Sequence, residues 1–264
     1  MKNFTDFRGK KLFCQVTGDG PAIVLLHGFM ESQLIWKNFI RKLSDSYRVI
    51  AIDLPGHGQS EVISGGNGMD MMAEGVRHVL KDLGIDSCLM VGHSMGGYVT
   101  LAFAEKYPRK IRGIVLFHSQ AGADSPEAWI NRERAISVVQ KDHQGFINNL
   151  IPDLFDPANV KKYPFDIAAL KEMALQTPKE GIIAALEGMK NRADRQHVLA
   201  QAKVPVMFIT GKNDSRIPLQ VIMPQTTLPE HSEVLLLDHV GHMGFIEAPG
   251  KTFAAVKGFT ERIF

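Results

Sequence analysis

The chain has 264 residues, 45% hydrophobic and 22% charged, with a formal net charge of +2, the balance of a soluble chain long enough for one large α/β domain or for a core with an inserted subdomain. Its basic residues are scattered without a stripe, which argues against a nucleic-acid partner, and no apolar run approaches the ~20 residues needed to cross a bilayer. Met1 to Lys11 mixes phenylalanine with charge and lacks the apolar core of a secretion signal.

The first half alternates strand and helix patterns. Asn3 to Phe7 and Lys11 to Val16 flank Arg8-Gly9-Lys10 and read as a hairpin. Ala22 to Leu26 is a solid apolar run, as expected for a strand buried on both faces, and Tyr47 to Ile52 is another. Met72, Val76, Val79, Leu80 and Leu83 recur at helical spacing before Gly84. A strand over Cys88 to Val91, a helix over Tyr98 to Tyr107 and a strand over Ile111 to Phe117 follow. Such alternation implies a mostly parallel sheet flanked by helices. Cys14 and Cys88 fall inside predicted strands and read as buried, reduced thiols of a cytoplasmic protein rather than a disulfide or metal pair.

From Ser119 to about Gln196 the strand signal stops. Ser125-Pro126-Glu127 is a helix start, and Trp129, Ile136 and Val139 give that helix an apolar stripe. Phe146, Ile147, Leu150 and Ile151 suggest a second helix, and Ile167, Leu170 and Met173 a third. Thr177-Pro178-Lys179-Glu180 reads as a capping box opening a fourth. The rhythm resumes with a strand over Val204 to Thr210, a helix near Pro218 to Gln225, a strand over Glu233 to Leu237 and a last helix from about Pro249. The expected organisation is a core of residues 1–118 and 197–264 carrying a helical cap of residues 119–196.

Chemistry enters at Gly92-His93-Ser94-Met95-Gly96-Gly97, a G-x-S-x-G run between a strand and a helix. A tight strand-to-helix turn exposes a serine in a strained conformation that only small neighbours permit. The helix that opens there also aims unsatisfied N–H groups and its positive dipole end at the site. Such a nucleophile needs a base, and the base an orienting acid. Functional groups of parallel sheets gather at the carboxyl ends of strands. There stand Gly211-Lys212-Asn213-Asp214 and Asp238-His239-Val240-Gly241-His242. The order Ser94, Asp214, His242 fits this architecture, with His239 and Asp238 as the competing base and acid.

With these runs, His27-Gly28-Phe29, Asp53-Leu54-Pro55-Gly56-His57-Gly58-Gln59-Ser60 and Glu247-Ala248-Pro249, the chain resembles the α/β-hydrolase superfamily over essentially its whole length. The resemblance implies an α/β-hydrolase fold and a catalytic triad of Ser94, Asp214 and His242. Some relatives carry the acid after the preceding strand, but that slot here is His118-Ser119-Gln120, with no carboxylate. The oxyanion donors would be the backbone N–H groups of Met95 and Phe29. His27 would order the oxyanion loop, His57 a neighbouring turn, and Asp53 would hold the Gly56–Gly58 turn or serve as a pocket acid. His93 would be a packing residue beside the nucleophile. Met30, Met95 and Met243 could line a pocket for a loosely shaped acyl or aromatic group or belong to the core. Of Trp129, Phe146, Phe155, Met173 and Met189, most should pack cap against core and a few should form the pocket roof.

A serine at the elbow disfavours the dehalogenases and epoxide hydrolases of this fold, which use aspartate. Relatives that cut carbon–carbon bonds usually carry a glycine-rich oxyanion loop and a tryptophan after the histidine, where this chain has Phe29-Met30-Glu31 and Met243. The region from Ala123 to Phe155 is similar to 3-oxoadipate enol-lactonases and carboxylesterases. The expectation is a serine hydrolase acting on a small-molecule ester, thioester or lactone, without cofactor, metal, nucleic-acid or membrane partner. A hydrolase-fold ligand sensor and a cofactor-free perhydrolase are the alternatives.

Overall fold

A computed structural model describes residues 1–63 and 68–264. Eight strands form one sheet: β1 (Lys2–Phe7), β2 (Lys10–Thr17), β3 (Ala22–Leu26), β4 (Arg48–Ile52), β5 (Cys88–His93), β6 (Ile111–Phe117), β7 (Val206–Gly211) and β8 (Ser232–Leu237). Their order across the sheet is β1-β2-β4-β3-β5-β6-β7-β8. β2 runs antiparallel to both neighbours, and every pairing from β4 to β8 is parallel. β3 and β5 are buried at every residue, which explains their unbroken apolar sequences.

The helices that flank this sheet within the first half are α1 (Lys37–Leu43), α2 (Met69–Asp82) and α3 (Met95–Lys106). α2 buries Met72, Val76, Val79 and Leu80 as their spacing predicts, and the chain turns away at Gly84 with φ 66°. Between β6 and β7 stand α4 (Pro126–Lys141), α5 (His143–Leu150), α6 (Pro164–Leu175), α7 (Lys179–Lys190) and α8 (Gln196–Ala200). The C-terminal third adds α9 (Leu219–Ile222), α10 (Gly244–Glu247) and α11 (Pro249–Ile263). No helix among the described residues is long and apolar enough to cross a membrane.

Helix starts follow the sequence in one case and depart from it in two. Ser125 caps α4 by accepting the Ala128 N–H at 3.2 Å, with Pro126 in the first turn. The capping box at Thr177 does not form. Pro178 takes the cap position of α7, and Thr177 is drawn into the end of α6, its N–H donating to the Ala174 carbonyl. Asp142 caps α5 through the Gly145 N–H at 2.8 Å, a signal the apolar spacing alone did not carry.

Parallel strands send their following loops to one edge. Six loops therefore open together, and those after β3, β5, β6, β7 and β8 carry His27, Ser94, His118, Asp214 and His242. Behind them Trp36, fully buried, packs its ring against Phe39, Phe117 and Phe245 at centroid distances of 5.2, 5.6 and 6.3 Å. Phe117 ends β6 and Phe245 lies in α10, so this aromatic group braces two of these loops.

His27 ties the β3 loop to the β4 loop. Its Nδ1–H donates to the Gly28 carbonyl at 2.7 Å, and its Nε2 accepts the Leu54 N–H at 2.9 Å. Asp53 performs the turn-holding role. One carboxylate oxygen accepts the Gln59 N–H and the other the Gln33 N–H, while burial raises its pKa to about 6. Cys14 and Cys88 are buried and unpaired, and burial pushes their thiols up to about 11 and about 12.

Two measurements test this framework. A Cβ at Gly96 would lie 2.5 Å from the Leu26 carbonyl oxygen, whereas one at Gly68 meets nothing within 4 Å among the described residues. Gly96→Ala is expected to lose at least the ~1–3 kcal/mol of an overpacked core in urea denaturation, and Gly68→Ala to lose none of it. Burial, and secondarily the neighbouring His57, lowers the His27 pKa to about 3. Below the unfolded value of ~6.5 only the unfolded chain takes up this proton, so stability falls as pH drops. The stability advantage of wild type over His27→Gln should therefore shrink by about 2 kcal/mol between pH 7 and pH 5.

Candidate active site

Ser94 occupies the turn between β5 and α3 at φ 49° and ψ −115°, a strained conformation for a non-glycine residue. The strain persists because its surroundings fix it. The Ser94 N–H donates to the Phe117 carbonyl at 2.9 Å, and its carbonyl accepts the Gly97 N–H at 2.9 Å and the Ser119 hydroxyl at 2.7 Å. The turn can close only where side chains are missing. A Cβ on Gly92 would sit 2.4 Å from the Gly96 backbone. Met95 is the first residue of α3, where N–H groups have no intrahelical acceptor.

Asp214 and His242 meet as their order in the chain predicts. His242 Nδ1–H donates to Asp214 Oδ2 at 2.8 Å, and both side chains are buried. Asp214 Oδ1 accepts the backbone N–H groups of Arg216 and Ile217 at 2.8 and 3.0 Å. Burial opposes its charge, but the adjacent His242 and the converging donors outweigh burial and hold the carboxyl well below the usual carboxylate range. The competitors stand outside. Asp238 is exposed and paired with Lys212, and His239 is exposed in its loop.

His118, which sequence reasoning passed over for having no carboxylate, donates Nδ1–H to the same Asp214 oxygen at 3.0 Å. The ligand atoms of His118, Asp214 and His242 lie within 4.8 Å of one another. Both histidines direct an N–H at Asp214 Oδ2, which is an arrangement of donors on one carboxylate rather than of lone pairs on an ion.

The second residue missed is Glu31. Its Oε2 accepts the Gly28 N–H at 2.6 Å and the His93 Nδ1–H at 2.9 Å, and both side chains are almost fully buried. His93 Nε2–H donates to the His242 carbonyl at 3.1 Å. Both ring nitrogens thus face acceptors, so the ring is held as an imidazolium. Burial works against that charge, yet Glu31 overcomes it and raises the His93 pKa. The reciprocal attraction lowers that of Glu31. His93 is therefore the cation of a buried ion pair that joins the β3 loop, the elbow and the His242 loop, rather than simple packing.

Ser94 and His242 line one cavity of about 460 Å3. Phe29, Glu31, Tyr98 and Met243 contribute from the sheet side. Phe146, Leu150, Leu154, Leu186 and Met189 contribute apolar surface from the 119–196 segment, and Arg132, Arg134 and Arg216 add positive charge. Of the five cap residues from which a few are expected to form the roof, Phe146 and Met189 line the cavity. Trp129 is 43% exposed, with Lys190 over its ring, and Phe155 is buried against Tyr163. Met30, at φ 58°, and Met95 are core residues, leaving Met243 as the one of those three on the cavity.

The sequence model of the α/β-hydrolase fold family matches residues 21–249. A thermophilic esterase from Thermogutta terrifontis is 31% identical and superposes with a TM-score of 0.93, covering 100% of this chain and 99% of its own. A 2-hydroxy-6-oxononadienedioate/2-hydroxy-6-oxononatrienedioate hydrolase from Paraburkholderia phymatum is 31% identical over 229 residues, 78% of this chain and 75% of that protein. A 3-oxoadipate enol-lactonase from Acinetobacter baylyi is 26% identical over 269 residues, 98% and 96% of the two chains. With that sheet order, the serine elbow between β5 and α3 and a family match over most of its length, the chain belongs to the α/β-hydrolase fold family.

Proposed function

We propose that this protein is a cytoplasmic serine hydrolase that cleaves a small-molecule ester, thioester or lactone through an acyl-Ser94 intermediate. One observation carries the reading: a serine on a strained elbow and a histidine hydrogen-bonded to a buried carboxylate line the same cavity. The hydrolases and esterase among the relatives support it. The buried, unpaired cysteines suit a reducing compartment.

His242 Nε2 takes the hydroxyl proton as Ser94 Oγ attacks the carbonyl carbon. The tetrahedral oxyanion is held by the N–H groups of Met95 and Phe29, each donor supplying ~3–4 kcal/mol. Collapse breaks the bond to the leaving oxygen or sulfur, which takes the proton from His242. Water then yields its proton to His242, its hydroxyl attacks the acyl carbon, and Ser94 departs reprotonated. Asp214 fixes the His242 tautomer and stabilises the transient imidazolium. Residues 119–196 act as a cap on the 1–118 and 197–264 core, and their apolar side chains give the cavity its roof.

Ser94→Ala should abolish steady turnover of p-nitrophenyl acetate and labelling by a fluorophosphonate. Turnover that survives this substitution would refute the nucleophile. Asp214→Asn should lower kcat by roughly 10⁴, as in well-characterised triads. A loss of less than tenfold in a stopped-flow assay assigns the acid role elsewhere.

A further inference from the structure

Asp214 Oδ2 accepts two imidazole N–H groups, one from His242 at 2.8 Å and one from His118 at 3.0 Å. The second is held there against evident local cost. His118 adopts φ 47°, in the left-handed region that side-chain-bearing residues avoid. Its N–H is fixed to the Ile209 carbonyl at 2.7 Å. Its Nε2 is buried with no hydrogen-bond partner among the described residues. Room for that nitrogen exists because residue 244 is glycine; a Cβ there would lie 2.3 Å from it. A strained backbone, an orphaned acceptor and a glycine opposite together serve one contact, the Nδ1–H donated to Asp214. His118 is fully buried and does not line the cavity, so it acts through Asp214 rather than on substrate.

We propose that His118 is a positioning residue that clamps Asp214 and draws off part of its negative charge, so that His242 stays a free base at lower pH than it otherwise would. A neutral donor suits this task, because it withdraws charge from the carboxylate without adding a second cation beside His242. The groups around it are consistent with neutrality. His242 and His93 face its ring at centroid distances of 5.7 and 6.2 Å, Asp214 accepts its proton, and Glu31 lies behind His93 as that residue's counter-ion. Arg216 donates its backbone N–H to Asp214 Oδ1, and its guanidinium, on the cavity wall, adds a cation that the Asp214 charge also attracts. Burial outweighs the Asp214 hydrogen bond and lowers the His118 pKa to about 4.

The inference rests on the hydrolase reading for its role in turnover, and two near-isosteric variants test it. The side-chain amide nitrogen of His118→Asn falls where Nδ1 lies and keeps a donor on Asp214. That of His118→Gln falls where Nε2 lies and does not. The pH dependence of kcat/KM for p-nitrophenyl acetate is measured for both, alongside an NMR titration of the His242 ring proton that needs no substrate. His118→Gln should move the acid limb and the titration up by about one pH unit, lowering kcat/KM about tenfold below the limb with KM little changed. His118→Asn should restore both midpoints to wild type. An unshifted titration in folded His118→Gln overturns the proposal, as does an equal shift in both variants. Should His118→Gln not fold, a His118→Asn midpoint displaced from wild type overturns it and one matching wild type upholds it. A shifted titration without any esterase activity upholds the electrostatic role while refuting the hydrolase reading.

Discussion

The approach of α3 to the centre of the sheet governs the rest of the site. Gly92, at the end of β5, and Gly96, in the first turn of α3, let the two backbones touch, and Gly96 rests against the Leu26 and His27 carbonyls of the β3 loop. That contact sets the elbow angle and throws Ser94 forward. It also brings the start of α3 beside the loop bearing Phe29, so the two backbone donors expected for an oxyanion come from neighbouring segments. A side chain at either glycine would separate them. The strain at Ser94 is the local cost of this geometry, and the strands on both sides of β5, β3 buried throughout and β6 at every residue but Arg112, sustain it.

Charge is handled in two layers. Asp214 is an anion satisfied by two backbone N–H groups and two imidazoles. Beneath the elbow, Glu31 and His93 form a second buried pair that reaches the His242 loop through its carbonyl. A lone charge in either position would be expensive to bury; paired and hydrogen-bonded, each becomes a fixed element of the scaffold. His27, His57 and His118 are kept neutral by burial, with pKa values near 3, 4 and 4. The site therefore mixes one imidazolium, at His93, with several neutral rings, a division set by which of them faces a carboxylate charge at close range without competition.

The fold was legible because its signals are local and repeated. Apolar runs such as Ala22 to Leu26 and glycine-flanked turns such as 92–97 mark strand ends directly, and the site residues sit at those ends. The strand-end positions of Ser94, Asp214 and His242 could be read for the same reason. His118 and Glu31 were harder, since each owes its role to a partner far along the chain, Asp214 and His93, and neither lies in a pattern that names a partner. The strand-end position of His118 was the available sign. Thr177 misled because a capping box is a local pattern, and the end of α6 claimed that residue first. Trp129 misled because its ring lies under a lysine and stays 43% exposed rather than entering the core.

One stretch of the helical segment is fastened to the floor. The His242 N–H donates to the Leu154 carbonyl, Glu247 accepts from the Asp156 N–H and the Asn159 side chain, and Asn159 also donates to the His239 carbonyl. Asn213, next to Asp214, donates to the Asp156 carboxylate. Residues 154–159 therefore belong mechanically to the His242 loop. Any chimaera that transplants this stretch onto another member of the family must carry Glu247 and Asn213 along with it, or the His242 imidazole loses its anchorage even though Ser94, Asp214 and His242 are all retained.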